Sequence, residues 1–207
     1  YTRTLKTSNL FESFAQEQPT HMIIVPRLLQ LIHSGIIQEV KEKNKEKQFS
    51  FALNISKKLP RILKKQIFHK IHKKLGNKLQ YFVCGGSTLS PDIEKFYNTI
   101  GLPIVQGYGL TETSPTLTNN TIEKRKFGSV GKAIPGIKIK IEKGEVLSQG
   151  NSITSGYYKN PTKTKELFSK RWFKTGDLGI LDKEGFLFLK GRKKDVIVTS
   201  AGINVYP

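Results

Sequence analysis

The stretch GYGLTET at residues 107–113 directly follows the short apolar run PIVQ at residues 103–106. An apolar run of this length that stops at glycine is typical of a buried strand that ends in a tight turn. The same order occurs upstream, where the apolar run at residues 79–84 stops at Gly85 and Gly86. Each of the two runs is therefore predicted to be a strand that leads into a glycine turn.

The segment between the two glycine turns predicts a helix. Ser90 is a preferred N-cap residue, and Pro91 suits the first helical position because its missing N–H is not needed there. The helix is predicted to end near Gly101. Strand, turn, helix, strand and turn in this order form a βαβ unit with a parallel sheet. Because ligands of such sheets bind beyond the carboxyl ends of the strands, both glycine turns are expected at a ligand site.

The region before this unit is predicted to be mainly helical. Residues 9–14 begin one helix, and residues 28–35 form a second that ends at glycine. Between them, the apolar run at 22–25 is ended by proline and predicts a buried strand. Residues 41–79 are rich in Lys and are predicted to form basic helices.

The chain changes character after residue 127. Residues 137–141 alternate Ile with Lys, as a half-exposed strand does. Short apolar runs at 185–191 and 196–198 lie between turn residues and predict further strands. The sequence as a whole therefore predicts an α/β fold with a β-rich distal subdomain.

The chain is strongly basic. It has 35 Lys and Arg residues against 16 Asp and Glu, a formal net charge of +19. Such a charge is compatible with nucleic-acid binding, but a nucleic-acid site concentrates its cations on one surface. Here they extend from Arg3 to Lys194, so no nucleic-acid partner is expected.

One basic stretch, residues 61–75, leaves two interpretations open. Leu63, Ile67, Ile71 and Leu75 recur every four residues and form one stripe of a helix, with Lys and His on flanks predicted to be solvated. The favoured interpretation is a surface helix whose stripe packs on the core. The other is a basic amphipathic helix that makes peripheral contact with an anionic membrane.

Several classes of protein are excluded by composition. Cys84 is the only cysteine, so an intramolecular disulfide framework is ruled out, and no zinc-ligand spacing occurs. No apolar run approaches the roughly 18 residues that a membrane helix needs. No secretory signal opens the sequence, so the protein is not expected to be secreted. Cys84 ends an apolar strand and is predicted to be a buried, inert thiol.

The stretch 107–113 carries the residues best suited to chemistry. Its glycines allow close approach of the backbone to a ligand, and Tyr108 between them is predicted to present an exposed ring for stacking. The Thr111 hydroxyl and the Glu112 carboxylate suit phosphate oxygens and Mg²⁺. The alternative is a glycine-rich turn before a helix capped by Thr113 or Ser114.

Residues 107–115, GYGLTETSP, closely resemble the adenylation motif of the adenylate-forming (AMP-binding) superfamily, which includes acyl-CoA synthetases, luciferases and peptide-synthetase adenylation domains. Further stretches resemble other motifs of this family, in the family's order. They lie at residues 19–28, 85–90, 128–136, 155–161, 172–178 and 191–195. The set spans nearly the whole chain.

The resemblance implies the second half of the family's large domain. Residues 1–127 would form its α/β part, 128–193 the β-rich distal subdomain, and 194–207 the hinge and the start of a C-terminal domain. The phosphate loop and the catalytic Lys of the family have no match here. The chain is therefore expected to be a fragment, and the isolated fragment is expected not to turn over.

The resemblance also implies residue roles. Tyr108 would stack on adenine, while Thr111 and Glu112 are the catalytic residues, bonding the α-phosphate and coordinating Mg²⁺. Asp177 would accept both ribose hydroxyls, and Arg192 would hold the ribose from the other side. Lys194 would be the hinge about which the C-terminal domain rotates. The cofactor-binding set comprises Gly85, Gly86, Ser87, Gly107, Tyr108, Gly109, Asp177 and Arg192.

The spacing between Arg192 and Gly202 resembles that of long-chain acyl-CoA synthetases and acyl-acyl-carrier-protein synthetases. The implied function is ATP-dependent activation of a long-chain fatty acid through acyl-AMP to a thioester. The implied cofactors are ATP, Mg²⁺ and coenzyme A, with acyl carrier protein as the other thiol acceptor. A cytoplasmic or plastid location is expected. The alternatives are an inactive AMP-binding module and another carboxylate-adenylating enzyme.

Overall fold

The computed structural model describes residues 7–195, 197–198 and 204–205, with the side chains of residues 7, 8, 197, 198, 204 and 205 left undescribed. The chain divides into two compact units, residues 1–105 and 106–207. Each unit is described by itself. The predicted domain boundaries after residues 127 and 193 stay predictions.

The first unit consists of helices around short strands. Its helices are α1 (Thr7–Glu17), α2 (Pro26–Glu42), α3 (Glu46–Ser56), α4 (Arg61–Ile67), α5 (His69–Lys74) and α6 (Pro91–Thr99). Its strands are β1 (His21–Ile24), β2 (Tyr81–Cys84) and the beginning of β3 (Ile104–Gly109). Strands β1 and β2 pair in parallel, with His21 opposite Tyr81. The predicted α/β class is confirmed. The parallel pairing predicted within the βαβ unit concerns β2 and β3 and stays a prediction.

The N-terminus of α6 forms as predicted. The Ser90 hydroxyl accepts a hydrogen bond from the Asp92 N–H at 3.3 Å, and Pro91 occupies the first turn. Tyr97, further along α6, is fully buried against Phe82, and its hydroxyl donates to the Leu29 carbonyl oxygen at 2.8 Å. This bond satisfies the polar end of a large aromatic side chain and joins α6 to α2.

The predicted apolar stripe on residues 61–75 is wrong in its N-terminal half. The helix breaks at Phe68 into α4 and α5, and Leu63 and Ile67 are exposed. The buried positions are Lys64, Phe68, His72 and Leu75 instead. The predicted face is therefore rotated by about one residue, and His72, predicted to be solvated, lies in the interior.

The cause is the C-terminus of α6, whose last carbonyl groups lack partners within the helix. Lys64 Nζ donates to the Asn98 carbonyl oxygen at 3.3 Å, and Arg61 Nε donates to the Gly101 carbonyl oxygen at 3.2 Å. His72 Nε2 lies 2.8 Å from the Ile100 carbonyl oxygen. Cations are favoured at the negative, C-terminal end of a helix. The hydrogen bonds that α4 and α5 make to these carbonyl groups of α6 therefore decide which face of α4 and α5 is buried.

Two other expectations for the first unit have different outcomes. The predicted end of the second helix at Gly35 is wrong, because α2 continues through Gly35 to Glu42. Cys84 is buried at the end of β2, and burial raises the pKa of its thiol to about 12. The thiol therefore stays protonated at neutral pH, as expected of an inert cysteine.

The second unit is rich in strands. After β3 come β4 (Thr116–Asn119), β5 (Lys132–Ala133), β6 (Lys138–Glu142), β7 (Glu145–Gln149), β8 (Phe168–Ser169), β9 (Trp172–Leu181), β10 (Leu187–Arg192), β11 (Ile197–Val198) and β12 (Asn204–Val205). Helix α7 (Pro161–Glu166) and two short 3₁₀ helices, Thr111–Thr113 and Lys193–Asp195, complete it. The sheet order β10-β9-β7-β6 has antiparallel neighbours, and β8 pairs with β9.

The glycines of residues 107–109 lie within β3 rather than in a turn after it. Strand β4 pairs antiparallel with this end of β3, and the register shifts between Tyr108 and Gly109. A Cβ placed on Gly109 would lie 1.7 Å from the Pro115 carbonyl oxygen. Glycine is therefore required at 109 because the neighbouring backbone passes too close for any side chain.

Candidate active site

Strands β7, β9 and β10 bring together carboxylates and cations that are far apart in sequence. In the β9–β10 register Arg192 lies directly opposite Asp177, and in the β7–β9 register Glu145 lies opposite Leu178, the next residue. Cross-strand neighbours on a sheet have their Cβ atoms about 5 Å apart. The pairing of three strands thus positions two acidic side chains and the end of β10 as one cluster.

Asp177 is the centre of this cluster. Its side chain is 10% exposed, and its Oδ1 lies 2.9 Å from Arg192 Nε. Its Oδ2 accepts a hydrogen bond of 2.6 Å from the Tyr108 hydroxyl, which reaches it from β3. Burial raises the pKa of Asp177, and the charge of Glu145 adds to the rise, while Tyr108 and Arg192 oppose it.

Tyr108 is half-buried rather than exposed as expected. Burial, together with its hydrogen bond to Asp177, raises the pKa of the Tyr108 hydroxyl far above its ordinary value. The hydroxyl therefore remains a donor across the physiological range. Its bond to Asp177 tethers the tip of the ring, so the aromatic face is held in one orientation.

Glu145 was not singled out in the sequence, yet it is buried at the start of β7. Its Oε1 accepts the Gly176 N–H at 3.2 Å, and its Oε2 lies 2.9 Å from Lys193 Nζ. One carboxylate thus joins the residue before Asp177 to the residue after Arg192. The only signal in the sequence is an acidic residue at the start of an apolar strand, and this pattern is typical of an ordinary strand end.

The 3₁₀ helix Thr111–Thr113 presents the two predicted catalytic residues. Thr111 is exposed, and Glu112 is half-buried with its Oε1 accepting a 2.7 Å hydrogen bond from the Tyr157 hydroxyl. This hydrogen bond holds the pKa of Glu112 below its ordinary value, with the charge of Arg192 contributing. Glu112 is therefore ionised at neutral pH. Tyr157 lies in the family-like stretch 155–161, but the sequence gave it no role, since 45 positions separate it from Glu112.

Thr113 serves the turn itself. Its Oγ1 accepts the Leu110 N–H at 2.9 Å and donates to the Pro115 carbonyl oxygen at 2.7 Å. The alternative of a turn before a helix capped by Thr113 or Ser114 is wrong, because strand β4 follows the 3₁₀ helix. Thr113 instead shapes the loop that presents Thr111 and Glu112.

Gly85, Gly86 and Ser87 lie in the first unit, in the loop between β2 and α6, where Gly86 adopts φ +87°. Lys194 lies in the exposed 3₁₀ helix Lys193–Asp195. Their roles stay predictions.

The donor set suits a magnesium ion held partly by substrate. Among the residues that the structure describes, no group of three or more His, Cys, Asp or Glu side chains could hold a metal. Mg²⁺ commonly binds one or two carboxylates together with substrate phosphates. The ionised, partly exposed Glu112 fits that pattern.

The contacts of Asp177 with Tyr108 and Arg192 join three of the residues in the family-like motifs. The model of the AMP-binding enzyme family matches residues 1–158. The chain belongs to this family.

Curated relatives are fatty-acid ligases. The chain is 34% identical to the long-chain-fatty-acid–CoA ligase FadD15 of Mycobacterium bovis over 221 residues, covering 99% of this chain and 37% of that protein. It is 36% identical to the chloroplastic long-chain-fatty-acid–[acyl-carrier-protein] ligase AEE15 of Arabidopsis thaliana, covering 70% of this chain and 23% of that protein. The chain thus spans about a third or less of these relatives.

A solved structure has the same fold. O-succinylbenzoate coenzyme A synthetase from Bacillus subtilis, in complex with ATP and magnesium, matches with a TM-score of 0.66 and 25% identity. The match covers 98% of this chain and 37% of that one. Within the described residues, no helix has the length and apolar character needed to cross a membrane.

Proposed function

We propose that the full-length protein carrying this chain activates a long-chain fatty acid with ATP and transfers the acyl group to a thiol. The identity to FadD15 over nearly the whole chain supports the substrate class. The observation that carries the proposal is the Tyr108–Asp177–Arg192 cluster, because it joins three predicted nucleotide residues from separate strands.

The cluster suits a nucleoside. Each carboxylate oxygen can accept more than one hydrogen bond, so Asp177 keeps acceptor capacity for ribose hydroxyls beside Tyr108 and Arg192. Arg192 uses Nε for Asp177, and its side chain is 45% exposed, so solvent and ligands can reach part of the guanidinium. The tethered Tyr108 ring would offer its face to adenine with little loss of side-chain entropy.

The Thr111–Glu112 turn suits the phosphates. Glu112 would hold Mg²⁺, which when bound neutralises phosphate charge, and Thr111 would donate its hydroxyl to the α-phosphate. The fatty-acid carboxylate oxygen then attacks the α-phosphorus, and the bond to pyrophosphate breaks. A thiolate next attacks the acyl carbon, and AMP leaves. In such chemistry an enzyme accelerates the reaction mainly by orienting the reactants and by stabilising the charge that develops in the transition state.

We propose coenzyme A as the thiol, since FadD15 is named for CoA, with acyl carrier protein as the other candidate in view of AEE15. A cytoplasmic or plastid location remains part of the proposal. Lys194 is proposed as the hinge, and one feature supports it. Arg192 and Lys193 are each anchored to a buried carboxylate, so Lys194 is the first residue past the anchored segment.

The test is carboxylate-dependent ATP–pyrophosphate exchange by the full-length protein with a panel of acids. We expect exchange with hexadecanoate and little with acetate, benzoate or amino acids. Exchange that depends on an amino acid would favour another adenylating enzyme, and no exchange with any acid would favour an inactive AMP-binding module. Hexadecanoyl-CoA in the product mixture identifies the thiol acceptor.

A further inference from the structure

Glu112 is held through both its backbone and its side chain by one segment of the second unit, residues 154–157. The Glu112 carbonyl oxygen accepts a hydrogen bond from the Thr154 N–H at 2.8 Å. Glu112 Oε1 accepts the 2.7 Å hydrogen bond from the Tyr157 hydroxyl. The backbone contact leaves the rotatable bonds of the side chain free, whereas the Tyr157 bond selects one orientation of the carboxylate.

The backbone of Tyr157 is anchored to α7. The Tyr157 N–H donates to Thr164 Oγ1 at 2.9 Å, and the Thr164 hydroxyl donates to the Asn160 carbonyl oxygen at 2.8 Å. Asn160 caps α7, since its Oδ1 accepts the Lys163 N–H at 3.0 Å. Tyr157 therefore starts from a fixed backbone position, although its ring is 40% exposed.

The chain just before Tyr157 packs closely against the same helix. Gly156 adopts φ +146°, and a Cβ at this position would lie 2.4 Å from Thr164 Cγ2. The Gly156 N–H donates to Thr154 Oγ1 at 3.2 Å, and the Thr154 hydroxyl donates to the Gly156 carbonyl oxygen at 3.1 Å. The segment between Glu112 and α7 thus has one defined conformation.

A group that holds a metal-binding side chain affects the affinity for the metal. Such a partner fixes the orientation of the ligand, and its removal typically weakens metal binding about 10- to 100-fold. The Tyr157 hydroxyl has this relation to Glu112, the carboxylate proposed above to hold Mg²⁺. A carboxylate has acceptor sites for about four partners, so Glu112 keeps capacity for a metal ion while it is bonded to Tyr157.

We propose that Tyr157 is a positioning residue, whose hydroxyl holds the Glu112 carboxylate in the orientation that binds nucleotide-associated Mg²⁺. This inference rests on the proposed function, because it takes Glu112 as the metal ligand. Thr154 already braces the backbone of Glu112, and Thr164 already braces that of Tyr157. The Tyr157 hydroxyl therefore adds a constraint on the carboxylate alone.

The test compares the binding of two nucleotides to the full-length protein by titration calorimetry. ATP with Mg²⁺ uses the metal ligand, whereas AMP in the presence of EDTA does not. Tyr157→Phe removes one oxygen and keeps the ring. We expect its affinity for MgATP to fall about tenfold, the lower end of the range above because Glu112 is only half-buried. Its affinity for AMP should not change.

The neighbouring tyrosine provides a matched control. Tyr158 is 88% exposed, so Tyr158→Phe removes the same oxygen one residue away and should bind both nucleotides like the wild type. A double-mutant cycle shows whether Tyr157 acts through Glu112. In a Glu112→Gln background, Tyr157→Phe should cause little further loss of MgATP affinity. Thermal melting checks that every variant folds.

Three results would overturn the proposal. Unchanged MgATP affinity in Tyr157→Phe would show that the hydroxyl does not serve the metal ligand, and equal losses for MgATP and AMP would show a merely structural role. A full additional loss in the Glu112→Gln background would show that Tyr157 acts on the nucleotide itself. Failure of the proposed function appears separately, as a wild type that gives no pyrophosphate exchange with hexadecanoate.

Discussion

Tyr108→Phe tests the centre of the candidate site because it removes one oxygen and leaves the ring. The hydroxyl donates a 2.6 Å hydrogen bond to Asp177, whose side chain is 10% exposed. Hydrogen bonds to charged groups contribute about 1.5–3 kcal/mol. Since Arg192 still pairs with Asp177 in the variant, we expect the lower part of this range, about 1.5–2 kcal/mol.

The pH dependence of this loss follows from the pKa of Asp177. Burial raises that pKa above its ordinary value of 3.8, and the Tyr108 hydrogen bond lowers it. A carboxyl group with a raised folded pKa favours folding in acid, and its contribution falls as pH rises through the folded pKa. Removing the hydroxyl raises the folded pKa further. Tyr108→Phe should therefore cost most at pH 7 and progressively less as the pH falls through that pKa towards 3.8.

The assay is urea unfolding of the 207-residue chain followed by the fluorescence of Trp172. Trp172 is the only tryptophan and begins β9, the strand that carries Asp177, so it reports on the second unit. Tyr158→Phe is the matched control, because Tyr158 is 88% exposed. An equal loss at pH 7 and pH 4, or no loss at either, would refute the reasoning.

Three further substitutions in the full-length protein test other parts of the site. Glu112→Gln keeps the shape of the side chain but removes its charge. Mg²⁺-dependent pyrophosphate exchange should therefore fall about 100-fold or more while the protein stays folded. Near-normal exchange would show that Glu112 does not hold Mg²⁺. Lys194→Pro should fix φ of residue 194 near −65°. Pyrophosphate exchange should stay within about tenfold of the wild-type rate, or about 1.4 kcal/mol, while thioester formation falls much further. A parallel decline of both half-reactions would contradict the hinge role of Lys194. Burial is the main reason that the pKa of Asp177 is raised, and Glu145→Gln removes the smaller contribution of the Glu145 charge. The acid limb of ATP binding, measured by titration, should therefore move slightly to lower pH, and an unchanged limb would count against this coupling.

Capping and proline signals in the sequence predicted where elements begin and end, whereas the glycines at 35 and 107 did not. Ser90 and Pro91 indicated the start of α6, and the proline after β1 indicated its end, because capping and chain-breaking depend on neighbours in sequence. The ordered motifs placed the chain in the AMP-binding family. The family and the class of fold were therefore predictable from the sequence, whereas the roles of the candidate site residues stay predictions.

Hydrogen bonds between residues far apart in the sequence could not be predicted from the sequence. The face of α4 that packs inward depends on carbonyl groups at the end of α6, more than 30 residues away, and periodicity alone favoured the wrong face. Glu145 and Tyr157 act on residues 31 and 45 positions distant, so no spacing rule links them to Gly176 or Glu112. Tyr108 similarly gave no sign that its hydroxyl would bind Asp177, 69 residues away.

Oxygen transfer from the fatty acid to AMP tests the central claim most directly. If the carboxylate attacks the α-phosphorus, hexadecanoate labelled with ¹⁸O in its carboxylate must leave one labelled oxygen on AMP after the thiol has taken the acyl group. We predict that mass spectrometry of the full-length protein's products shows AMP heavier by one ¹⁸O, with unlabelled pyrophosphate. Unlabelled AMP, or ADP with labelled phosphate, would contradict the proposal that this protein works through an acyl-adenylate.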